Sequence, residues 1–167
     1  MRIRLLLLSL LLAGCAGTGI DHAPRYLHQV PAGTLLSLER PVQFLPGVLR
    51  VYFQDGQIHR GFGFFGSDGI NRYRAYCALE LQQKPTAALE LSPREFRLAH
   101  VTRDVTYVMN DTSEFRTQWR LAGTDEPQAY AFVCYKSANA AHEPPLSLEE
   151  IDQVVGDFFR LKEADVH

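Results

Sequence analysis

Glu114-Phe115-Arg116-Thr117-Gln118-Trp119-Arg120-Leu121 decides the fold class. Phe115, Thr117, Trp119 and Leu121 take one parity. Arg116, Gln118 and Arg120 take the other. A period of two with one apolar side is the pattern of a half-buried antiparallel strand. The same alternation runs outward from this stretch. Leu49, Val51 and Phe53 alternate with Arg50, Tyr52 and Gln54. Tyr73, Ala75, Cys77, Leu79 and Leu81 alternate with Arg72, Arg74, Tyr76, Ala78 and Glu80. Tyr130, Phe132 and Cys134 share a parity further on.

Turn chemistry separates these runs. Asp55-Gly56 and Asp68-Gly69 are short-hairpin signals, and Asn110-Asp111 sits between two alternating stretches. Gly123 to Pro127 breaks the chain again. About eight strands are expected, over 34–39, 48–54, 57–65, 71–81, 94–100, 103–109, 114–121 and 128–136. The apolar parity switches near His100, so 94–109 is either two strands or one strand with a bulge.

The C-terminal region changes period. After Pro144-Pro145, Ser147 stands three residues before Glu150, a capping box, with Leu146 and Ile151 as its hydrophobic staple. Leu148, Ile151, Val154, Val155, Phe158, Phe159 and Leu161 share one face of a helical wheel. The expected fold is mainly β: an antiparallel sandwich or small barrel of about eight strands with one C-terminal helix packed on it.

Composition agrees with one globular domain. Of the 167 residues, 46% are hydrophobic and 22% charged, which excludes wholesale disorder. A formal charge of −2 provides no global basic field, so nucleic acid is not an expected partner.

The N-terminus has its own logic. Arg2 and Arg4 precede the apolar run Leu5 to Leu12, which is followed by Ala13, Gly14 and Cys15. A basic start, a short apolar run and small residues form a secretory signal peptide; the run is too short for a membrane span. An ordinary cleavage after Ala16, with Gly14 at the −3 position, is one reading. Leu12-Ala13-Gly14-Cys15, however, resembles the lipobox of bacterial lipoproteins at all four positions. The resemblance implies a diacylglyceryl group on Cys15, removal of residues 1–14, and acylation of the new amine. Ala16 follows Cys15 where inner-membrane retention uses Asp. By the Gram-negative lipoprotein pattern, this implies an outer-membrane location. Removing Arg2 and Arg4 takes the formal charge from −2 to −4. The domain organisation expected is 1–14 signal peptide, 15–32 lipidated tether and 33–167 a single β-rich domain.

Two further cysteines, Cys77 and Cys134, remain. In an oxidising compartment they most simply form one disulfide, and both lie on the apolar parity of their strands. Two buried thiols or a redox couple are the other readings; no Cys-x-x-Cys accompanies them.

No catalytic constellation emerges. Gly61-Phe62-Gly63-Phe64-Phe65-Gly66 matches G-x-G-x-x-G, but a turn and a strand follow where a dinucleotide site needs a helix. The segment is better read as a strand whose Phe62 and Phe64 pack, or as an apolar rim. Ser67 lacks the G-x-S-x-G setting, and His59 and His100 are not tied to it. His22 and His28 lie in the tether without metal-ligand spacing. Glu39, Glu80, Glu90 and Asp104 are the carboxylates left to meet in space. Arg72, Arg74, Arg116 and Arg120 occupy the polar parity of two strands and would form a basic patch if those strands were neighbours. With Phe62 and Phe64 they are the candidate interaction face. No cofactor or metal is expected.

Eight strands and a helix on a lipidated exported chain are similar in architecture to a bacterial lipocalin, although the G-x-W of that family's first strand is absent. The expected function is a non-enzymatic, outer-membrane-anchored lipoprotein, facing the periplasm, that serves as an envelope interaction or structural module. Its partners would be the membrane, through the acyl chains on Cys15, and another envelope protein or polymer. The alternative is a lipocalin-like carrier of a small apolar ligand. A cavity favours the carrier and a filled core favours the interaction module.

Overall fold

The computed structural model describes residues 25–62, 69–109, 112–122, 129–139 and 146–162. Cys15, Phe64, Ser67, His22 and the turn signals Asn110-Asp111 and Gly123–Pro127 lie outside the described residues.

Ten strands are described: β1 (Leu35–Leu38), β2 (Val42–Phe44), β3 (Arg50–Gln54), β4 (Gln57–His59), β5 (Tyr76–Leu81), β6 (Leu89–Leu91), β7 (Arg94–Met109), β8 (Thr112–Ala122), β9 (Ala129–Asn139) and β10 (Phe159–Lys162). One helix, α1 (Leu148–Val155), precedes β10. Eight strands form one curled antiparallel sheet, a half-barrel, in the order β10-β1-β7-β8-β9-β5-β3-β4. β2 and β6, absent from the sequence expectation, form a second small sheet.

The alternation around Trp119 works as expected. Ser113, Phe115, Thr117, Trp119 and Leu121 turn inward and are buried. Trp119 stands in a row with Phe132, Leu79 and Val51 on successive strands of the sheet. Its ring stacks on Phe132 at 5.8 Å, and its indole N–H donates to the Leu27 carbonyl at 3.3 Å. The next row contains Thr117, Cys134, Cys77 and Phe53. Cys77 and Cys134 face each other directly across β5 and β9 with Cα atoms 4.0 Å apart, and they are bonded. The disulfide inferred from their shared parity is therefore present. It closes a separation of 57 residues.

α1 lies over the concave face. Ser147 accepts from the Glu150 N–H at 3.2 Å, and Glu150 accepts from the Ser147 N–H at 2.8 Å, completing the capping box. Ile151, Val154 and Val155 are buried. The helix is shorter than its apolar stripe. It ends at Gly156, whose φ of 55° and ψ of −129° leave the helical region. A Cβ on Gly156 would come within 2.7 Å of the Gly56 Cα, so only glycine fits where the β3–β4 turn meets the helix end. The Gly56 N–H caps the helix by donating to the Val154 carbonyl at 3.0 Å. Phe158 and Phe159 stay buried, but through a 3-10 turn (Gly156–Phe158) and then β10, which pairs with β1.

Three other boundaries move. The segment 94–109 is one strand with a register shift between Leu98 and His100, which is the bulge alternative. The strand expected at 57–65 ends at His59, and the one at 71–81 begins only at Tyr76. The tether expected over 15–32 does not extend that far. Leu27 is 1% and Val30 6% exposed within the main core, the Leu27 N–H donates to the Leu146 carbonyl at 3.2 Å, and Tyr26 bridges to Ser147. Two isolated apolar residues have no period for a sequence reading to detect.

Candidate interaction face

The convex face of the sheet carries the residues that sequence placed on the polar parity. Strand register sorts them into rows. One contains Asp104, Arg116, Tyr135 and Tyr76. The next contains Thr102, Gln118, Val133, Ala78 and Tyr52. A third contains His100, Arg120, Ala131, Glu80 and Arg50.

This face is not simply solvated. Ile70, Tyr76, Ala131, Val133 and Tyr135 form a second apolar cluster, with Tyr52 and Tyr130 packed against it. Tyr76 and Tyr135 stack at 4.7 Å, and Tyr52 and Phe62 meet with centroids 5.4 Å apart. Phe62 and Ile70, between β4 and β5, supply part of the cover. Phe62 bridges to Ile70, and the Ile70 N–H donates to the Gly61 carbonyl at 2.9 Å. Gln54 fixes the rest. Its buried amide accepts from the Asn71 N–H at 2.8 Å and donates to the Asn71 and Ala75 carbonyls, each at 3.0 Å. These bonds take residues 71–75 out of the sheet, so Arg72 and Arg74 are not strand residues. A glutamine at the end of a strand gives no sequence signal for this role.

The arginines do not form one free basic patch. β9 lies between β5 and β8, so the two strands expected to carry them are not neighbours. Arg74 forks onto Asp55, with bonds of 2.8 and 2.6 Å. Arg116 donates to Asp104 at 3.0 Å and is hydrogen-bonded to Gln118. Arg50 Nε lies 2.6 Å from the buried Glu80 carboxylate. Burial opposes the Arg50 charge, but Glu80 and the neighbouring oxygens of Tyr135 and Tyr52 outweigh it and raise its pKa. Burial, reinforced by Glu114 and by Tyr135, pushes the Tyr76 phenol upward, so it stays protonated. Arg120 covers the Tyr130 ring with its guanidinium 3.7 Å from the centroid. Arg72 sits 5.7 Å from the Tyr73 ring, and its carbonyl accepts from the Ser137 hydroxyl at 3.1 Å. Phe62 is 53% exposed at the margin of the cluster.

The four carboxylates are not brought together. Glu80 holds Arg50, Asp104 holds Arg116, and Glu90 accepts from Gln43 at 3.2 Å on the second sheet. Glu80 and Asp104 are three strand spacings apart across the sheet, about 14 Å, and are also offset by two rows along it. Among the described residues no group of three or more His, Cys, Asp or Glu is arranged to hold a metal ion. No described helix is long and apolar enough to cross a membrane.

No family model matches this chain, and no curated protein or solved structure matches it significantly. On the convex face, arginines held in fixed orientations by carboxylates or rings, beside a partly exposed aromatic edge, present directional donors and apolar area with little rotamer entropy to lose.

Proposed function

We propose that this chain is a non-enzymatic lipoprotein of the bacterial outer membrane, anchored through acyl chains on Cys15, whose folded domain docks another envelope component through the convex face of its sheet. The observation that carries the anchoring is Leu12-Ala13-Gly14-Cys15 behind a basic start and a short apolar run. Two or three acyl chains hold a protein on a bilayer where one does not, because each buried methylene contributes about 0.8 kcal/mol. The docking part rests on Arg120, Arg116, Arg72 and the Phe62 edge.

The concave side supports docking over carriage of an apolar ligand. Its space is filled by Trp119, Phe53, Phe96, Phe132 and Phe159, all 1% exposed or less. The test has two arms. Cys15→Ser should abolish acyl labelling and release the protein from membranes; continued full membrane partition of the mutant, with no label on the wild type, defeats the anchor. A photo-crosslinking residue at Arg120 should capture one discrete envelope component, and Phe62→Asp should weaken that capture. Equal crosslinking at Arg120 and at a distant surface position such as Lys84 defeats the docking face.

A further inference from the structure

Three of the five large hydrophobic side chains exposed among the described residues gather at one end of the sheet: Tyr73 is 73%, Tyr107 67% and Val105 52% exposed. The register locates them. Thr112 pairs with Asn139 and Tyr107 with Ser113, so the β7–β8 arm and the C-terminal end of β9 reach the same limit of the half-barrel. The Arg72 carbonyl is bonded to Ser137 on β9, which brings Tyr73 to that end as well. Val105 and Tyr107 continue the inward parity beyond Val101, out past the filled core.

The chain leaves toward the same end. Leu27 lies at the level of Trp119, and from there the backbone runs to Tyr26 beside Ser147 and to Arg25, whose carbonyl accepts from the Leu148 N–H at 2.8 Å. The first turn of α1 is itself fixed to this end of β9 by Lys136 and Glu150, 2.5 Å apart. Ten peptide units separate Cys15 from Arg25, and fully extended they reach about 36 Å. That is no more than the length of β9, an 11-residue strand of about 37 Å. A domain attached this way presents its exit end to whatever holds Cys15.

From this juxtaposition we infer that the end bearing Tyr73, Val105 and Tyr107 rests on the phospholipid surface. This rests on the reading that Cys15 is acylated. The residue types fit a bilayer interface. Tyrosine has an apolar ring and a hydroxyl that stays wet, which is why it concentrates at headgroup level. The exposed Arg103, two residues before Val105 on the same strand parity, adds a long stem of the kind that lies along apolar surface while its charged end stays in water. The contact is an orienting one. Acyl chains hold the protein, and this end sets its angle, turning the convex face sideways into the periplasm where a partner reaches it.

The test uses the acylated mature protein in vesicles of phosphatidylethanolamine and phosphatidylglycerol, some carrying a nitroxide on the headgroup. Trp119 is fully buried and gives a constant background. Tyr73→Trp and Tyr107→Trp place a reporter at the proposed contact; Lys84→Trp places one in the exposed turn after β5, at the opposite end. Nitroxide quenching of the added tryptophan should be at least threefold stronger at positions 73 and 107 than at 84. Equal quenching at all three, or stronger quenching at 84, in acylated protein overturns the orientation and leaves the anchor standing. Absence of acyl label on Cys15 overturns both.

Discussion

The two faces of β5 and β9 are similarly buried but are covered in different ways. Inward stand Cys77, Leu79, Phe132 and Cys134; outward stand Tyr76, Ala78, Glu80, Ala131, Val133 and Tyr135. Every residue of β5 is buried. The inner face is covered by α1, β10 and the small sheet, all regular elements with apolar stripes of their own. The outer face is covered by its own tyrosines and arginines and by Ile70, which is carried on a connection pinned by Gln54. A jigsaw of regular elements resists local opening. A cover made from one loop and long side chains is the part expected to open first.

Four experiments bear on that contrast. The largest effect should come from the inner face: Trp119→Ala removes the largest fully buried side chain and one of the two hydrogen bonds at the Leu27 carbonyl, leaving only that from the Val30 N–H, which should cost about 3–5 kcal/mol in urea unfolding. A loss below 1 kcal/mol would mean the core is not where the cooperativity resides. Replacing Cys77 and Cys134 together by alanine should cost about 2–5 kcal/mol, and thiol titration of the intact protein should find neither residue before reduction.

On the outer face, Ile70→Ala should cost about 2 kcal/mol, at the low end for a buried isoleucine, because its cover can collapse. Hydrogen exchange should accelerate at Ile70 to Ala75 and leave β8 unchanged. If β8 accelerates equally, the two faces form one cooperative unit and the contrast is broken. The smallest effect is electrostatic. Burial works against the Glu150 charge, but Lys136 and the Ser147 bonds prevail and hold its pKa below the ordinary carboxylate value. Its contribution is therefore full above that ordinary value and is lost as pH falls through the folded one. The stability gap between wild type and Glu150→Gln should close as pH drops from about 5 toward 3. A gap that widens on acidification contradicts the assignment.

Much of the inner face was legible in the sequence. Alternation placed Trp119, Phe132 and both later cysteines inward, because a period of two leaves no other choice for a strand with one apolar side. The capping box at Ser147 was legible for a similar reason, since it is a local pattern. What failed depended on partners distant in sequence. The helix stripe continued to Leu161 on paper, but Gly156 meets Gly56, a hundred residues away, and the chain turns into a strand instead. Arg72 and Arg74 kept strand parity on paper until the Gln54 amide claimed the backbone on either side of them. β2 and β6 are short strands outside any alternating run, and they pair across more than forty residues.

The pairing of β10 with β1 has a consequence for how the protein is made. β1 lies between β7 and β10, so the first strand of the sheet acquires its second neighbour only from the last. A chain made from its N-terminus holds β5 and β9, with Cys77 and Cys134, before α1 and β10 have followed. The covalent link can then be set in an open trough whose apolar floor awaits its lid. The fold is completed only when residues 146–162 arrive, so a chain truncated before them carries an uncovered apolar surface, which proteolysis and aggregation both act upon.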